Sequence, residues 1–412
     1  MYGRVIFKTH LPAQLRRWKP GPISPLDRPR PIRFLAGDSA AGDAGFTDEL
    51  WRLPPGLRAA LSDPHMGKLD ALRGFSALLV VYYHFGLPVP AGFGVMTFFV
   101  LSGFLITWLL LKEERRSGTV SLRDFYARRA LRIFPAFYCY WFLVTGARLL
   151  FGKTIPWGQA WSSFFYVSNY YQGLNGYPSS AYSHTWSLAV EEQFYLLFPP
   201  VFLVLGRRPE LRTACVAAGI VLVWILRLIA GVGFGVPESY LYTAFEMRAD
   251  HLLIGCLVAM VLYTGRAIPL WRRLADHPVH ILLFLALLTT SNALGRRLGT
   301  DYRDTVGNIV DPICIALLIP TLLSAGDHPS VRWLDHRFLR WLGSISYPIY
   351  LYQQVVIWPV ANFLRRGSAP EFVVAVVVSL SVIAAAAASY RFVEQPFLRM
   401  KHRFSPRNVA PL

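Results

Sequence analysis

A largely apolar run, LDALRGFSALLVVYYHF (Leu69 to Phe85), carries an arginine near its start, Arg73, and, eleven residues later, a histidine, His84. In an α-helix that spacing is just over three turns, so the two lie within about 20° around the axis and about 16 Å apart along it. Asp70 falls near the same stripe and can hold the guanidinium. If the helix enters near Asp70 from the cytoplasm, Arg73 lies at the inner headgroup level and His84 near the bilayer midplane. A guanidinium there can bind phosphate, and an imidazole inside the membrane can take or give a proton. Taken alone, Arg73 is better read as a side chain reaching for lipid phosphate. His84 is better read as functional, because an intramembrane ionisable group is expensive and serves a pathway or a reaction.

Two further stretches carry chemistry. In RDFYARRALRIFPAFY (Arg123 to Tyr138), Arg128, Arg129 and Arg132 cluster before an apolar run, with Arg129 and Arg132 on one helical face. Paired guanidiniums suit a polyphosphate, and positive-inside anchoring explains the same residues equally well. In HTWSLAVEEQFYLLFPP (His184 to Pro200), Ser187, Glu191 and Tyr195 recur every four residues and line one face. Glu191 can act as a base or orient a histidine, whereas Glu192 suits a helix N-terminus electrostatically.

The elements that must position these groups are membrane helices. Of 412 residues, 54% are apolar and 16% charged, a membrane composition, and many of the Trp, Tyr and Phe stand where apolar runs begin and end. Ten runs approach spanning length, near 71–88, 93–111, 133–151, 189–205, 213–233, 250–265, 279–295, 307–325, 344–364 and 372–393. Lys and Arg concentrate on alternate connectors, predicting both termini in the cytoplasm, and the connector with Arg296, Arg297 and Arg303 fits that scheme least well. The expected class is therefore all-α, a polytopic bundle of about ten transmembrane helices. Residues 1–68 read as a poorly ordered basic cytoplasmic extension, 69–397 as the membrane domain and 398–412 as a basic cytoplasmic tail. No cleaved signal peptide is evident, the first membrane helix is expected to direct insertion, and Met66 is an alternative start.

The net charge of +18 is spread over many short connectors, which argues for membrane anchoring and against a nucleic-acid partner. Cys139, Cys215, Cys256 and Cys314 lie far apart in apolar runs without metal-ligand spacing, so they predict neither a disulfide set nor a metal site. The longest outer connector, Gly152 to Leu188, is rich in aromatic, amide and hydroxyl groups and has one charge, Lys153. It fits a glycan-binding surface or a re-entrant interfacial loop equally well.

Taken in order, LDALRGFSALLVVYYHF, GVMTFFVLSGFLIT, FYARRALRIFP, HTWSLAVEEQFYLLFPP, MRADHLLIGCLVA, LGSISYPIYLYQ and YRFVEQPF resemble the acyltransferase-3 family of integral membrane O-acyltransferases. The resemblance covers nearly everything after residue 68. It implies a ten-helix domain that uses cytoplasmic acyl-CoA, with acetyl-CoA as the expected donor, to acylate a hydroxyl of a carbohydrate or glycoside. The family's Arg-x10-His motif falls on Arg73 and His84, its Arg-x-x-Arg motif on Arg129 and Arg132, and its Trp-Ser-Leu and Glu signature on Trp186, Ser187, Leu188 and Glu191. Where the family commonly has a late histidine, this chain has Gln353. Many members carry a C-terminal hydrolase-like domain, and no such domain is read in these 412 residues.

The resulting expectation is a multi-pass enzyme of a bacterial-type inner membrane. His84 and Glu191 would be catalytic, and Arg73, Arg129 and Arg132 would bind donor phosphate. Trp186, Ser187 and Tyr195 would contact substrate, with no metal, no permanently bound cofactor, and self-association left open. His84 would be a general base or an acyl carrier, with Glu191 orienting or deprotonating it. A transporter or flippase of an acyl group or lipid-linked sugar is the alternative. The absence of a second copy of either motif argues against it, since many transporters are built from repeats.

Overall fold

In a computed structural model of the chain, the described residues are 51–404 apart from 64, 65, 207, 300, 301 and 327, and every regular element among them is helical. The first four helices are α1 (Pro55–Ser62), α2 (Gly67–Phe85), α3 (Ala91–Ser117) and α4 (Leu122–Leu150). Short helices α5 (Trp157–Phe164) and α6 (Ser168–Asn175) lead to α7 (Thr185–Val204) and α8 (Pro209–Leu228). Next come α9 (Glu238–Thr243), α10 (Phe245–Tyr263), α11 (Ile268–Asp276), α12 (Val279–Leu298) and α13 (Asn308–Ser324). The chain continues through α14 (Arg337–Ser344), α15 (Ser346–Arg366), α16 (Glu371–Ser389) and α17 (Gln395–Leu398) to a 3₁₀ segment, Arg399–Phe404.

Seven of these stretches are long and apolar enough to cross a bilayer, or eight if the pair Glu238–Tyr263 and Ile268–Asp276, bent by 99°, forms one span. The protein is therefore an all-α, multi-pass membrane protein. The difference from the expected ten has a chemical cause. The first and ninth runs are helices of 19 and 21 residues, α2 and α15. Lys68, Asp70, Arg73 and His84 in one, and Gln353, Gln354, Arg365 and Arg366 in the other, dilute their apolarity.

Residues 1–50, most of the expected extension, lie outside the described residues. The end of that extension is ordered, because Leu53, Leu57 and Leu61 recur every four residues, form one apolar stripe and are buried. Their helix packs on α13, with Gly56 so near the Ser324 carbonyl that a Cβ would overlap it. At the other end, Arg399–Phe404 packs against α4 rather than leaving the domain as a free tail, and 405–412 lie outside the described residues.

The core is built on the close pairing of α3 with α10. A Cβ on Gly103 would overlap the Leu252 carbonyl, and one on Gly255 the Val100 carbonyl, so glycine lets the two backbones meet. Beside this seam Arg227 pairs with Asp250 at 2.6 Å, and Trp224 donates to the same carboxylate at 3.0 Å. In the connector between α4 and α7, the exposed rings of Trp157, Trp161 and Phe165 stack along one side of α5. Several amides are engaged within the fold: Asn169 bonds Gln193 of α7, and Gln159 donates to the Pro178 carbonyl, whereas Asn175 is exposed. The aromatic stripe thus has the form of an interfacial belt.

Candidate active site

A cavity of about 800 Å³ runs between α2, α3, α4, α7 and α15. Its wall follows α3 from Val95 to Arg116, which at 1.5 Å per residue is about 30 Å. One end is wet and basic: Arg116 and His402 are exposed there. At the other end Ser187 and Tyr350 are buried.

Local sequence explains the basic end. Gly118, at φ 72°, ends α3, and Ser121 caps α4 by accepting the Asp124 amide at 3.3 Å. Glu113 accepts the Ser121 amide at 3.0 Å and pairs with Arg128 at 2.7 Å, so one carboxylate fixes both the turn and the first arginine of the cluster. Arg129 and Arg132 follow on α4, and Arg73 faces them from α2.

Glu191 sits deeper, toward Arg73 and Arg129, with Ser102 facing it. Tyr195, one turn on, donates its phenol to Glu191 at 3.0 Å, and the Arg129 guanidinium lies over the Tyr195 ring at 4.6 Å. Two cations, a carboxylate and a phenol thus share one level of the cavity. This differs from the expectation that Glu191 would orient His84. Arg73 and His84 are about 16 Å apart along their helix, and Glu191 belongs to the Arg73 level.

The deep end is made where the start of α7 meets α15. The hydroxyls of Ser187 and Tyr350 are 2.5 Å apart, Tyr350 also donates to the His184 carbonyl at 2.9 Å, and His184 Nε2–H donates to the Leu351 carbonyl at 3.0 Å. A carbonyl only accepts, so the proton of His184 is on Nε2 and the buried Nδ1 carries the lone pair, without a partner. His84 stands close by. Its Nδ1–H donates to the Val80 carbonyl at 2.9 Å, which leaves Nε2 as the open nitrogen. The amide of Gln353, fully buried and with neither polar atom in a well-formed hydrogen bond, faces this imidazole.

The cavity wall therefore gathers six of the expected residues: Arg73, Arg129, Arg132, Ser187, Glu191 and Tyr195. His84 lies beyond the wall with His184, in the last turn of α2, because Gly86 at φ 102° ends the helix two residues later. Trp186 is outside the wall and packs edge-on against Phe99 and over Tyr242 at 5.0 Å. His184, Gln353 and Lys401 were not among the expected site residues. His184 could have been suspected as a second imidazole at the head of the Trp-Ser-Leu motif, but its approach to α15 spans 167 residues of sequence. It stands near His84 although position 353 is glutamine.

A family model described as an acyltransferase domain matches residues 66–391. Among curated proteins, "Putative peptidoglycan O-acetyltransferase YrhL" of Bacillus subtilis (strain 168) is 32% identical over 363 residues, covering 83% of this chain and 56% of that protein. "O-acetyltransferase OatA" of Staphylococcus aureus (strain NCTC 8325 / PS 47) is 30% identical over 358 residues, covering 82% of this chain and 58% of that protein. The chain thus spans a little over half the length of these relatives. No solved structure matches it. The chain belongs to the acyltransferase-3 family.

Proposed function

We propose that this member of the acyltransferase-3 family is a membrane O-acyltransferase that passes an acyl group, acetyl in the first instance, from cytoplasmic acyl-CoA to a carbohydrate hydroxyl. The observation that carries this reading is the single cavity with guanidiniums near its basic end and the Ser187–Tyr350 pair at its buried end, beside two imidazoles. Donor phosphates lie against Arg129, Arg132 and Arg73, and the thioester extends toward Ser187. The acceptor approaches from the His84 side. His84 Nε2 takes the hydroxyl proton as the oxygen bonds to the thioester carbonyl carbon. The carbon–sulfur bond then breaks, and the leaving thiolate takes up that proton. Glu191 and Tyr195 hold the guanidiniums in register with the donor. Ser187 and Tyr350 face the reacting end. Trp186, beside Tyr242, is an acceptor contact on the far side of the cavity wall. The similarity to a putative peptidoglycan O-acetyltransferase of Bacillus subtilis supports a cell-wall glycan as the acceptor.

Mass spectrometry of surface glycans and secreted glycosides from a deletion strain and its parent tests this reading. Loss of a fixed acyl mass increment, restored by the wild-type gene and not by His84→Ala, is the expected result. Identical glycans in both strains would overturn the carbohydrate assignment.

A further inference from the structure

Lys401 stands outside the part of the chain that the family model matches, and outside the six-residue set already placed in the cavity wall. It belongs to the 3₁₀ segment Arg399–Phe404, which ends the helical stretch Glu371–Phe404 and packs against α4. Arg128 pins that segment: one guanidinium nitrogen donates to the Phe404 carbonyl at 2.7 Å and another to Glu113 at 2.7 Å. The half-buried Lys401 side chain is thereby held in the cavity wall, next to His402 at the exposed end.

The surroundings of Lys401 are four guanidiniums, those of Arg73, Arg128, Arg129 and Arg132. The carboxylates along this wall face the arginines instead: Glu113 takes Arg128, Glu191 takes the Tyr195 phenol beside Arg129, Glu192 faces Arg129, Asp70 faces Arg73 and Glu394 faces Arg132. Lys401 forms no ion pair among the described residues. An ammonium held among like charges is unfavourable unless an anion completes the site. Several cations closing on one cavity from different helices suit a polyanion, with lysine acting as a point charge beside the forked arginines.

We infer that Lys401 is a phosphate-binding residue of the donor site, brought there by a C-terminal strap that Arg128 fastens across the basic end of the cavity. The ligand class is the phosphorylated end of a nucleotide-linked acyl donor, and the inference rests on the acyl-CoA reading above. The strap makes the site a joint product of the membrane helices and a segment that follows them.

Calorimetric titration of coenzyme A into the full chain in lipid nanodiscs tests it. Lys401→Ala should weaken binding about tenfold, the size of one charge-assisted contact. Lys401→Arg should stay within about threefold of wild type, because the charge is kept. The salt dependence of affinity should flatten in Lys401→Ala while its melting temperature does not fall below the wild-type value, since a like-charge repulsion is relieved. Wild-type binding with Lys401→Ala unchanged would overturn the strap site and leave the donor reading standing. Equal losses in Lys401→Ala and Lys401→Arg would also overturn it, since charge would then not be what matters. No binding of coenzyme A to the wild type would remove the donor reading itself.

Discussion

His84 Nδ1–H is bonded to the carbonyl of Val80, one turn back on its own helix, at 2.9 Å, and this bond fixes the tautomer that leaves Nε2 open toward Gln353 and His184. An imidazole so held is a ready proton acceptor beyond the buried end of the cavity wall. Replacing His84 by Ala should lower acyl transfer by about 10²- to 10⁴-fold, the usual worth of a positioned base. Expression level and melting temperature should not change. Retention of more than about a tenth of wild-type turnover would refute a direct role for this ring.

The Tyr195–Glu191–Arg129 arrangement predicts a different kinetic signature. Glu191→Gln keeps the shape but removes the charge that faces Arg73 and Arg129. The apparent KM for acyl-CoA should rise several-fold, and the pH profile of turnover should keep its form. Tyr195→Phe, which deletes one hydrogen bond and keeps the carboxylate, should cost less, about 0.5 kcal/mol or about twofold in donor binding. A fall in kcat at constant KM with a displaced pH profile would instead return Glu191 to the imidazole.

Much of this was legible in the chain itself. Helical spacing alone groups Ser187, Glu191 and Tyr195, and Arg129 with Arg132, and the cavity wall holds all five. Apolar runs locate the helices, and the two that fall short as spans are those carrying Arg73, His84 and Gln353. Periodicity could not reveal which helix meets which at what level. It carried Glu191 to His84 because both look inward, whereas packing sets Glu191 at the level of Arg73. Nor could it bring Lys401 back from the tail or set His184 against Leu351, contacts made across long sequence separations. The early start of the folded domain was readable from the Leu53, Leu57, Leu61 stripe, but the surrounding Pro and Arg masked it.

The seam between α3 and α10 gives a stability prediction with its own control. Gly103→Ala and Gly255→Ala each drive a methyl group into a facing backbone carbonyl, which cannot step aside as a side chain could. Each should cost about 1–3 kcal/mol or more and lower the melting temperature of the purified protein. Gly146, also within a helix, has open space where a Cβ would go. Gly146→Ala should be neutral or stabilise by up to about 1 kcal/mol. Melting curves for the three variants that failed to separate them would show that the two helices do not depend on this close approach.

The pair Arg227–Asp250 yields the most discriminating test of what holds the membrane core together. Both side chains are almost wholly buried, and the guanidinium also donates to the Met247 carbonyl while Trp224 donates to the carboxylate. Arg227→Met strands an anion away from water and should cost about 3–5 kcal/mol. Adding Asp250→Leu removes the stranded charge, so the double variant should recover most of that loss. The thermodynamic cycle would then give a coupling of several-fold RT, because the destabilisation comes from the unpaired charge and not from the absence of the bond. If the double variant were as unstable as the sum of the singles, the pair would be acting through packing of its aliphatic stem and the Trp224 ring, and electrostatic pairing would not be what fixes α8 against α10.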